Sequence, residues 1–483
     1  MAGTAPAFAA AIGGHPPDAP ALVWRDTATG YGELWAAALR ERDRVRALPL
    51  PAGAPIGLLV DKSPAGVALV LGALLSGRPA LLPPASLPEA VLHELFASSG
   101  CACTMSPDAV AGVPGAGPPQ VPAGTALMLT TSGSTGLPKV VPLPSAGIGA
   151  FTRWAGDRFG IGAGTAVLSY APLSFDLSLL DVWTTLARGG TAVLVDPDDA
   201  LHAGRLAAAI RRWRVEVVQA VPMVFGLLAG TGGAFDSVRH AIATGDALSP
   251  DGVAALPATF PSARLHNLYG CTETNDSLLH EIDPVRDAGG PVPIGTPLPG
   301  VAVRLIGDDG AEVTGAGSGE LWVRTPFQST GYLGAAAGTG RFTHCPGDPG
   351  GPVWYRSGDL VERRPDGALV LLGRTDFRVK VRGVGVDLGA VEAALSGHAE
   401  VLEAVVFAVP ERVGGRRLRG LARRTPGSAL TTLGLRRHCA AVLPRGAIPS
   451  DLLIVDTALP RNANGKLDRA AVAREHPPTQ EGV

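Results

Sequence analysis

At Thr130–Lys139 the chain reads TTSGSTGLPK, which gathers hydroxyl side chains, two glycines and one lysine into ten residues. Such a composition is typical of a flexible linker. A second interpretation is a loop that wraps phosphate, because glycines let backbone N–H groups turn toward an anion while hydroxyls and lysine add donors and charge. The stretch directly follows an apolar strand candidate, Ala126–Leu129, which does not fit an ordinary linker. It is not a Walker A loop, because Leu137 and Pro138 separate the lysine from the preceding glycine. Taken alone, the stretch leaves both interpretations open.

Length and composition set the broad class of the protein. The chain has 483 residues, of which 46% are hydrophobic and 17% charged, with a formal net charge of -2. This length predicts two or more domains. The net charge near zero does not indicate a surface that binds nucleic acid or an anionic membrane. The apolar run around Val67–Leu75 is shorter than the roughly 20 residues of a membrane span. Sparse cysteines without zinc-site spacing, and an N-terminus without the basic region of a signal peptide, predict a cytoplasmic protein.

Apolar strand-like runs alternate with helical patterns over most of the chain. The predicted strands are Ile56–Val60, Ala166–Tyr170, Thr191–Val195 and Val215–Ala220, and the predicted helices include Pro64–Ser76 and His202–Arg214. Repeated strand–helix order predicts an α/β fold with doubly wound, mostly parallel sheets. After about Gly373 the sequence becomes dense in charge and has two further strand candidates, Ala404–Val409 and Leu452–Val455. This C-terminal part predicts a small α+β domain.

Three later segments bear on the phosphate interpretation. Asn267–Thr274 (NLYGCTET), expected to follow a strand, offers an aromatic ring, a hydroxyl and a carboxylate that could stack on a base and hold Mg²⁺. Tyr355–Leu360 (YRSGDL) places a carboxylate after a glycine, where it suits a ribose diol. Leu459–Lys466 (LPRNANGK) presents a lysine on a turn-rich loop. Each segment taken singly has an ordinary structural explanation.

In this order, the segments closely resemble the motifs of the adenylate-forming enzymes, and within them the stand-alone amino-acid adenylation domains of nonribosomal peptide synthesis. The resemblance extends from Tyr31–Leu34 to Asn464–Lys466. It implies a large N-terminal domain over 1–375, which binds ATP and the acid, and a small mobile C-terminal domain over 376–483, which carries a catalytic lysine. It also implies a ligase of secondary-metabolite biosynthesis that makes an acyl-adenylate and pyrophosphate, and then passes the acyl group to a thiol.

The resemblance assigns roles to individual residues. Lys466, Thr272 and Glu273 are expected to be catalytic: Lys466 would bridge the substrate carboxylate and the α-phosphate, Thr272 would touch that phosphate and Glu273 would bind Mg²⁺. Asp376 is expected to be the hinge between the domains. The other residues expected to bind ATP are Thr131, Ser132, Gly133, Ser134, Thr135, Gly136, Lys139, Gly245, Asp246, Asn267, Tyr269, Gly270, Asp359 and Arg374.

The acid substrate is expected to be an amino acid. Asp176, in the segment SFDLS, matches the family position whose carboxylate binds the α-ammonium group, and an unpaired buried carboxylate needs such a cation. The residues expected to line the side-chain pocket are Leu177, Leu180, Met223, Ile242, Thr244, Leu268, Asp276 and Ser277. The expected acceptor is the phosphopantetheine thiol of a separate carrier protein.

Two positions depart from the family pattern. Val140 stands after the loop lysine where the family usually has glycine, and Pro144 replaces a histidine. The alternatives to the amino-acid ligase are an acyl- or aryl-CoA ligase, against which Asp176 argues, and a catalytically silent accessory subunit, against which Glu273, Asp359 and Lys466 argue.

Overall fold

The computed structural model describes residues 4–118, 121–131, 137–248, 250–334, 338, 340–374, 378–382, 384–411, 415–460 and 469–476. The predicted hinge residue Asp376, the catalytic candidate Lys466 and the loop residues Ser132–Gly136 lie outside the described residues. The chain divides into two compact units. The larger takes its described residues from Met1–Ala85, His93–Thr131 and Lys139–Thr375, and the smaller takes them from Ser86–Leu92, Ser132–Pro138 and Asp376–Val483.

The strands, in chain order, are β1 Pro20–Trp24, β2 Thr27–Gly30, β3 Ile56–Leu58, β4 Ala80–Leu81, β5 Cys103–Met105, β6 Val110–Gly112, β7 Thr125–Thr131, β8 Lys139–Pro144, β9 Ala166–Ser169, β10 Thr191–Leu194, β11 Val217–Ala220, β12 His240–Thr244, β13 Arg264–Cys271, β14 Asn275–Glu281, β15 Thr296–Pro297, β16 Ala302–Ile306, β17 Gly317–Arg324, β18 Phe342–His344, β19 Val353–Arg363, β20 Leu369–Arg374, β21 Arg378–Val381, β22 Val384–Asp387, β23 Val401–Pro410, β24 Arg416–Arg424 and β25 Asp451–Val455.

The α-helices are α1 Ala7–Ala11, α2 Tyr31–Arg46, α3 Pro64–Ser76, α4 Glu89–Ser98, α5 Ser145–Arg158, α6 Thr185–Ala187, α7 Ala203–Arg212, α8 Pro222–Ala229, α9 Pro250–Thr259, α10 Leu388–Ser396, α11 Thr432–Ala440 and α12 Arg469–Glu475. A π-helix, Leu179–Thr184, leads directly into α6. In the described residues, no helix is both long and apolar enough to cross a membrane.

A nine-stranded sheet forms the centre of the larger unit, in the order β15-β14-β13-β12-β11-β9-β10-β1-β2. The strands from β13 to β1 run parallel, and antiparallel strands stand at both edges. Every residue of β9, β10 and β11 is buried, as expected for parallel strands covered on both faces. The predicted strands at these three positions are therefore confirmed.

Two further sheets complete the larger unit. One has six strands in the order β6-β5-β3-β4-β7-β8, with parallel pairing from β5 to β7, and the other joins β16 to β20 in antiparallel pairs. The helix predicted over Pro64–Ser76 has those bounds: the Ser63 hydroxyl accepts from the Gly66 N–H at 3.1 Å, and Gly77 ends the helix with φ +76. Local capping chemistry thus fixed both ends.

The smaller unit contains a three-stranded sheet, β23-β24-β25, and a hairpin of β21 and β22. Val391 and Leu395 of α10 and Leu435 of α11 are buried in one core cluster with residues of this sheet. Both strand candidates in this part of the sequence are confirmed. The predicted fold class, α/β sheets followed by a small α+β part, is confirmed as well.

One boundary prediction was wrong. Asn267–Cys271 was expected to follow a strand, but it forms the second half of β13: the whole segment pairs with β14, and Asn267 and Leu268 also pair with β12. Only Thr272–Thr274 form the turn between β13 and β14. The polar and glycine content of this segment hides its strand character from sequence patterns, because the pairing with two neighbours outweighs local propensity.

Two histidines stack inside the larger unit. His240 Nδ1 and His266 Nε2 lie 3.1 Å apart, and the two rings stack on each other. Each ring also packs against the Phe159 ring in a T-shaped arrangement. Burial lowers the pKa of His266 to about 3, and the adjacent His240 adds to the shift. The pair is therefore neutral in the folded protein.

This neutrality predicts sensitivity to acid. Below its unfolded pKa of about 6.5, His266 binds a proton only when the chain unfolds, so stability falls as pH falls. Between pH 7 and pH 5, we expect the wild type to lose about 2 kcal/mol more unfolding free energy than His266→Phe. Urea denaturation of both proteins at the two pH values measures the difference, and equal losses would contradict the assignment.

Candidate active site

The turn after β13 carries two of the predicted catalytic residues. Because β13 is the last parallel strand of the nine-stranded sheet, its carboxyl end lies where open α/β sheets form ligand crevices. Gly270 stands opposite Asp276, and a Cβ there would come within 2.6 Å of the Asp276 Cα. A close approach of β13 and β14 therefore explains this glycine without any ligand.

Tyr269, Asp359 and Arg374, all predicted to bind ATP, lie together. The Tyr269 hydroxyl and the Arg374 guanidinium each donate to one oxygen of the Asp359 carboxylate, and Arg374 also donates to the Ser357 carbonyl at 2.8 Å. The Asp359 N–H donates to the Ser357 hydroxyl at 3.0 Å. Burial, together with the Asp359 carboxylate, holds the pKa of Tyr269 well above its ordinary value. One carboxylate thus has a neutral phenol and a cation as partners.

Glu273 forms a second cluster with residues of the TTSGSTGLPK segment. Its side chain is buried and accepts from the Tyr332 hydroxyl at 2.6 Å and the Thr131 hydroxyl at 3.4 Å. The Lys139 ammonium lies 5.1 Å from the centre of the Tyr332 ring. Thr131 and Lys139 pair across β7 and β8, so the predicted phosphate loop connects two antiparallel strands, whereas a Walker A loop connects a strand to a helix. Sequence patterns did not identify Tyr332, because an isolated tyrosine carries no motif.

The two departures from the family pattern lie in ordinary structural positions. Val140 is a buried residue of β8 that pairs with Thr130 and accepts from the Leu333 N–H at 3.0 Å. Pro144 ends β8 and precedes α5. The register of β7 and β8 shifts next to the Thr125–Pro144 pair and is regular from Leu127 to Thr131, where the strands approach the loop.

Asp176 and Thr272 are joined directly. The Thr272 hydroxyl donates to the Asp176 carboxylate at 2.9 Å, which connects the residue predicted to hold the substrate ammonium with the residue predicted to touch the α-phosphate. Leu177 is half-buried, and Leu180, in the π-helix, is fully buried.

The remaining predicted pocket residues lie on and beside the nine-stranded sheet. Leu180, Ile242 and Leu268 belong to one core cluster, and Met223, the second residue of α8, belongs to another. Thr244 pairs with Leu268 in parallel register, so the two share a face, and Ser277 is buried in β14.

Gln219 of β11 lies on the same sheet face as Ile242. It pairs with Ile242 in parallel register and is 1% exposed. Its side-chain amide lies near the Asp276 carboxyl, yet neither amide atom has a hydrogen-bond partner of ordinary geometry in the described part of the chain. In the sequence, Gln219 stands out only as the single polar residue of an apolar strand.

Two other predicted ATP ligands have structural partners. The Asn267 amide donates to the Pro293 carbonyl at 2.8 Å, and the Asp246 carboxylate accepts from the Ala247 N–H at 2.8 Å. Gly245 has φ +83, a conformation that favours glycine directly after β12.

A buried lysine and a buried aspartate lie beside the segment that precedes Asp176. The Lys62 ammonium donates to the carbonyls of Ser169, Tyr170 and Ala171 at 2.8, 2.6 and 3.2 Å. The fully buried Asp181 carboxylate lies beside the same segment. Burial lowers the pKa of Lys62 and raises that of Asp181, and the attraction between the two charges opposes both shifts.

Two family models and several named ligases match the sequence of this chain. The family model described as AMP-binding enzyme matches residues 113–333, and the one described as AMP-binding enzyme C-terminal domain matches residues 390–466. An L-proline–[L-prolyl-carrier protein] ligase of Pseudomonas fluorescens is 38% identical over 72% of this chain and 68% of the relative. The ligase of the same description from Streptomyces coelicolor is 32% identical over 94% of this chain and 87% of the relative.

A solved structure shows the same likeness over nearly the whole chain. It is a holo nonribosomal peptide synthetase protein that contains adenylation and PCP domains and binds a vinylsulfonamide inhibitor. Its sequence is 26% identical, its TM-score is 0.82, and the match covers 98% of this chain and 84% of that one.

The buried pair generates a stability prediction. Lys62→Met should cost about 3 kcal/mol of unfolding free energy, because it removes the cation beside Asp181 and three hydrogen bonds to carbonyls. Asp181→Asn should also destabilise, and the double variant should be more stable than the sum of the two losses predicts. Urea denaturation of all four proteins measures this coupling. Strictly additive losses would show that the two charges do not act as a pair.

Proposed function

Because the chain belongs to the AMP-binding enzyme family, we propose that it activates an amino acid with ATP and then transfers it to the phosphopantetheine thiol of a free-standing carrier protein. The predicted family and the predicted enzyme class, a ligase, are confirmed by the family models and the named relatives. The observation that carries the proposal is the hydrogen bond between Thr272 and Asp176, which sets the proposed phosphate and ammonium sites side by side.

The first step joins two anions. A carboxylate oxygen of the amino acid attacks the α-phosphorus of ATP, the bond to the β-phosphate oxygen breaks, and pyrophosphate leaves. The site must supply positive charge and aligned donors for this approach. We assign that task to Lys466 and Lys139, with the hydroxyls of Thr272 and Thr131 and the loop residues Ser132–Gly136 as further donors. Adenosine would bind at Tyr269 and Asp359, whose mutual hydrogen bond would then open to admit the ribose hydroxyls.

The second step releases AMP. The carrier thiolate attacks the carbonyl carbon of the aminoacyl-adenylate, the carbon–oxygen bond to phosphate breaks, and the thioester forms. We propose that the part of the chain from residue 376 onward moves about Asp376 between the two steps, withdrawing Lys466.

A magnesium ion fits the residues of this site. Mg²⁺ in nucleotide sites is usually held by one or two carboxylates together with substrate phosphates. Glu273 supplies one buried carboxylate surrounded by hydroxyl donors, and in the described residues no cluster of three acidic, histidine or cysteine side chains offers an all-protein alternative. When bound, the ion would neutralise charge on the β- and γ-phosphates, while Tyr332 and Thr131 orient the carboxylate.

The identity of the amino acid and the compartment are further parts of the proposal. Proline is one candidate, since two relatives are named for it. A cytoplasmic location is supported by the five cysteines, all of which are free in the structure.

Amino-acid-dependent exchange between ATP and labelled pyrophosphate tests the first step. Lys466→Ala should lower the exchange rate about 10²–10³-fold, the usual effect of removing one transition-state donor. Lys380→Ala is the matched control, because Lys380 lies in β21 and has no assigned role in adenylation. Undiminished exchange by Lys466→Ala would remove this lysine from the site.

Asp176→Asn tests the ammonium site separately. Asparagine can still accept the Thr272 hydrogen bond, so the substitution removes only the charge. We expect the KM for the amino acid to rise roughly 10- to 100-fold while the KM for ATP stays unchanged. Steady-state exchange kinetics measure both constants. An unchanged KM for the amino acid would exclude Asp176 as the ammonium ligand.

A further inference from the structure

We propose that the amino acid carries a second protonated nitrogen, which the Asp276 carboxylate binds, so that the natural substrate is a short diamino acid. This inference rests on the proposed function and narrows it to a chemical class. It concerns the side-chain end of the pocket, beyond the α-ammonium site at Asp176.

Strand register places the polar groups on one sheet face. Gln219 stands opposite Ile242, and Thr244, the last residue of β12, stands opposite Leu268. Asp276, the second residue of the return strand β14, stands opposite Gly270, and its N–H donates to the side chain of Asn275 at 2.8 Å. The carboxyl group of Asp276 thus lies at the crevice end of the sheet, beside the amide of Gln219.

Among the described residues, no cationic side chain shifts the pKa of Asp276. Asp276 is 7% exposed. In the described part of the chain, Asp176 is the only charged group that shifts the pKa of Asp276. Burial, reinforced by the Asp176 carboxylate, raises the pKa of Asp276 to about 8. An α-ammonium group balances Asp176 alone. A second ammonium group balances Asp276, because a buried carboxylate is stable as an ion only beside a cation.

Gln219 gives an independent indication of a polar ligand. Nearly all buried polar side chains in folded proteins have hydrogen-bond partners, but both amide atoms of Gln219 lack one of ordinary geometry in the described residues. An ammonium group beside Asp276 would donate to the amide oxygen. A purely aliphatic side chain would leave both amide atoms of Gln219 without a partner of ordinary geometry.

The walls of the pocket limit the length of the substrate. Leu180, Ile242 and Leu268 are fully or almost fully buried side chains on this face. Asp176 is hydrogen-bonded to Thr272 in the turn that leads into β14, and Asp276 is the second residue of that strand, so the two carboxylates lie at the same end of the sheet. The two nitrogens must therefore be separated by few bonds, as in 2,3-diaminopropionate or 2,4-diaminobutyrate.

Isosteric pairs of amino acids test this class in the pyrophosphate-exchange assay. 2,4-Diaminobutyrate is compared with norvaline, and 2,3-diaminopropionate with 2-aminobutyrate, so that each pair differs by an ammonium in place of a methyl group. Serine, homoserine and proline complete the panel. We expect at least one diamino acid to exceed its isostere in kcat/KM by more than about 100-fold, because a site built for polar groups rejects analogues that lack them.

A variant connects the preference to Asp276. Asp276→Asn should lower the ratio of kcat/KM for the diamino acid to that for its isostere roughly 10- to 100-fold. Asp287→Asn is the matched control, since Asp287 is also buried but pairs with His280. If Asp276→Asn fails to fold, the wild-type ratio within each pair decides the question alone.

The outcomes of these assays distinguish a failure of the diamino-acid proposal from a failure of the proposed function. Exchange that is equally fast or faster with proline, an isostere or a hydroxy amino acid would overturn the diamino-acid class and leave amino-acid activation standing. A preference that survives in Asp276→Asn would overturn the role of Asp276. Exchange with no amino acid at all would overturn the proposed function itself.

Discussion

Buried carboxylates govern the chemistry of the larger unit. Glu273, Asp276 and Asp359 are nearly inaccessible to solvent, and Asp176 is half-buried beside them in the same unit. A buried carboxylate remains charged only where hydrogen-bond donors or cations compensate it. Asp359 has an arginine and a tyrosine, and Glu273 has two hydroxyls. The hydroxyls of Tyr332 and Thr131 orient the Glu273 carboxylate in the turn after β13.

The nine-stranded sheet is what brings these groups within reach of one another. Its parallel strands end at one edge, and the reversal from β13 to β14 places Thr272 and Glu273 in a three-residue turn there. The segment that follows β9 delivers Asp176 to the same turn, and Lys62 holds the start of that segment through backbone carbonyls. The strands are rigid because they are buried on both faces, so the turn and the segment are positioned by the core.

Features that depend on neighbouring residues in sequence were predictable, and those that depend on register were not. The bounds of α3 follow from Ser63, Pro64 and Gly77. The position of Gln219 depends on its pairing with Ile242, which no local pattern reveals. Lys62 reads as an ordinary charged residue before a helix, and only the tertiary fold shows that it is buried.

Positional isotope labelling tests amino-acid activation most directly. 2,4-Diaminobutyrate and proline, each labelled with ¹⁸O in both carboxylate oxygens, are incubated with ATP, the enzyme and a holo carrier protein, and the AMP formed is analysed by mass spectrometry. Attack of the carboxylate on the α-phosphorus predicts one ¹⁸O atom in each AMP molecule formed with the accepted amino acid. Amino-acid-dependent formation of AMP without the label would contradict an aminoacyl-adenylate.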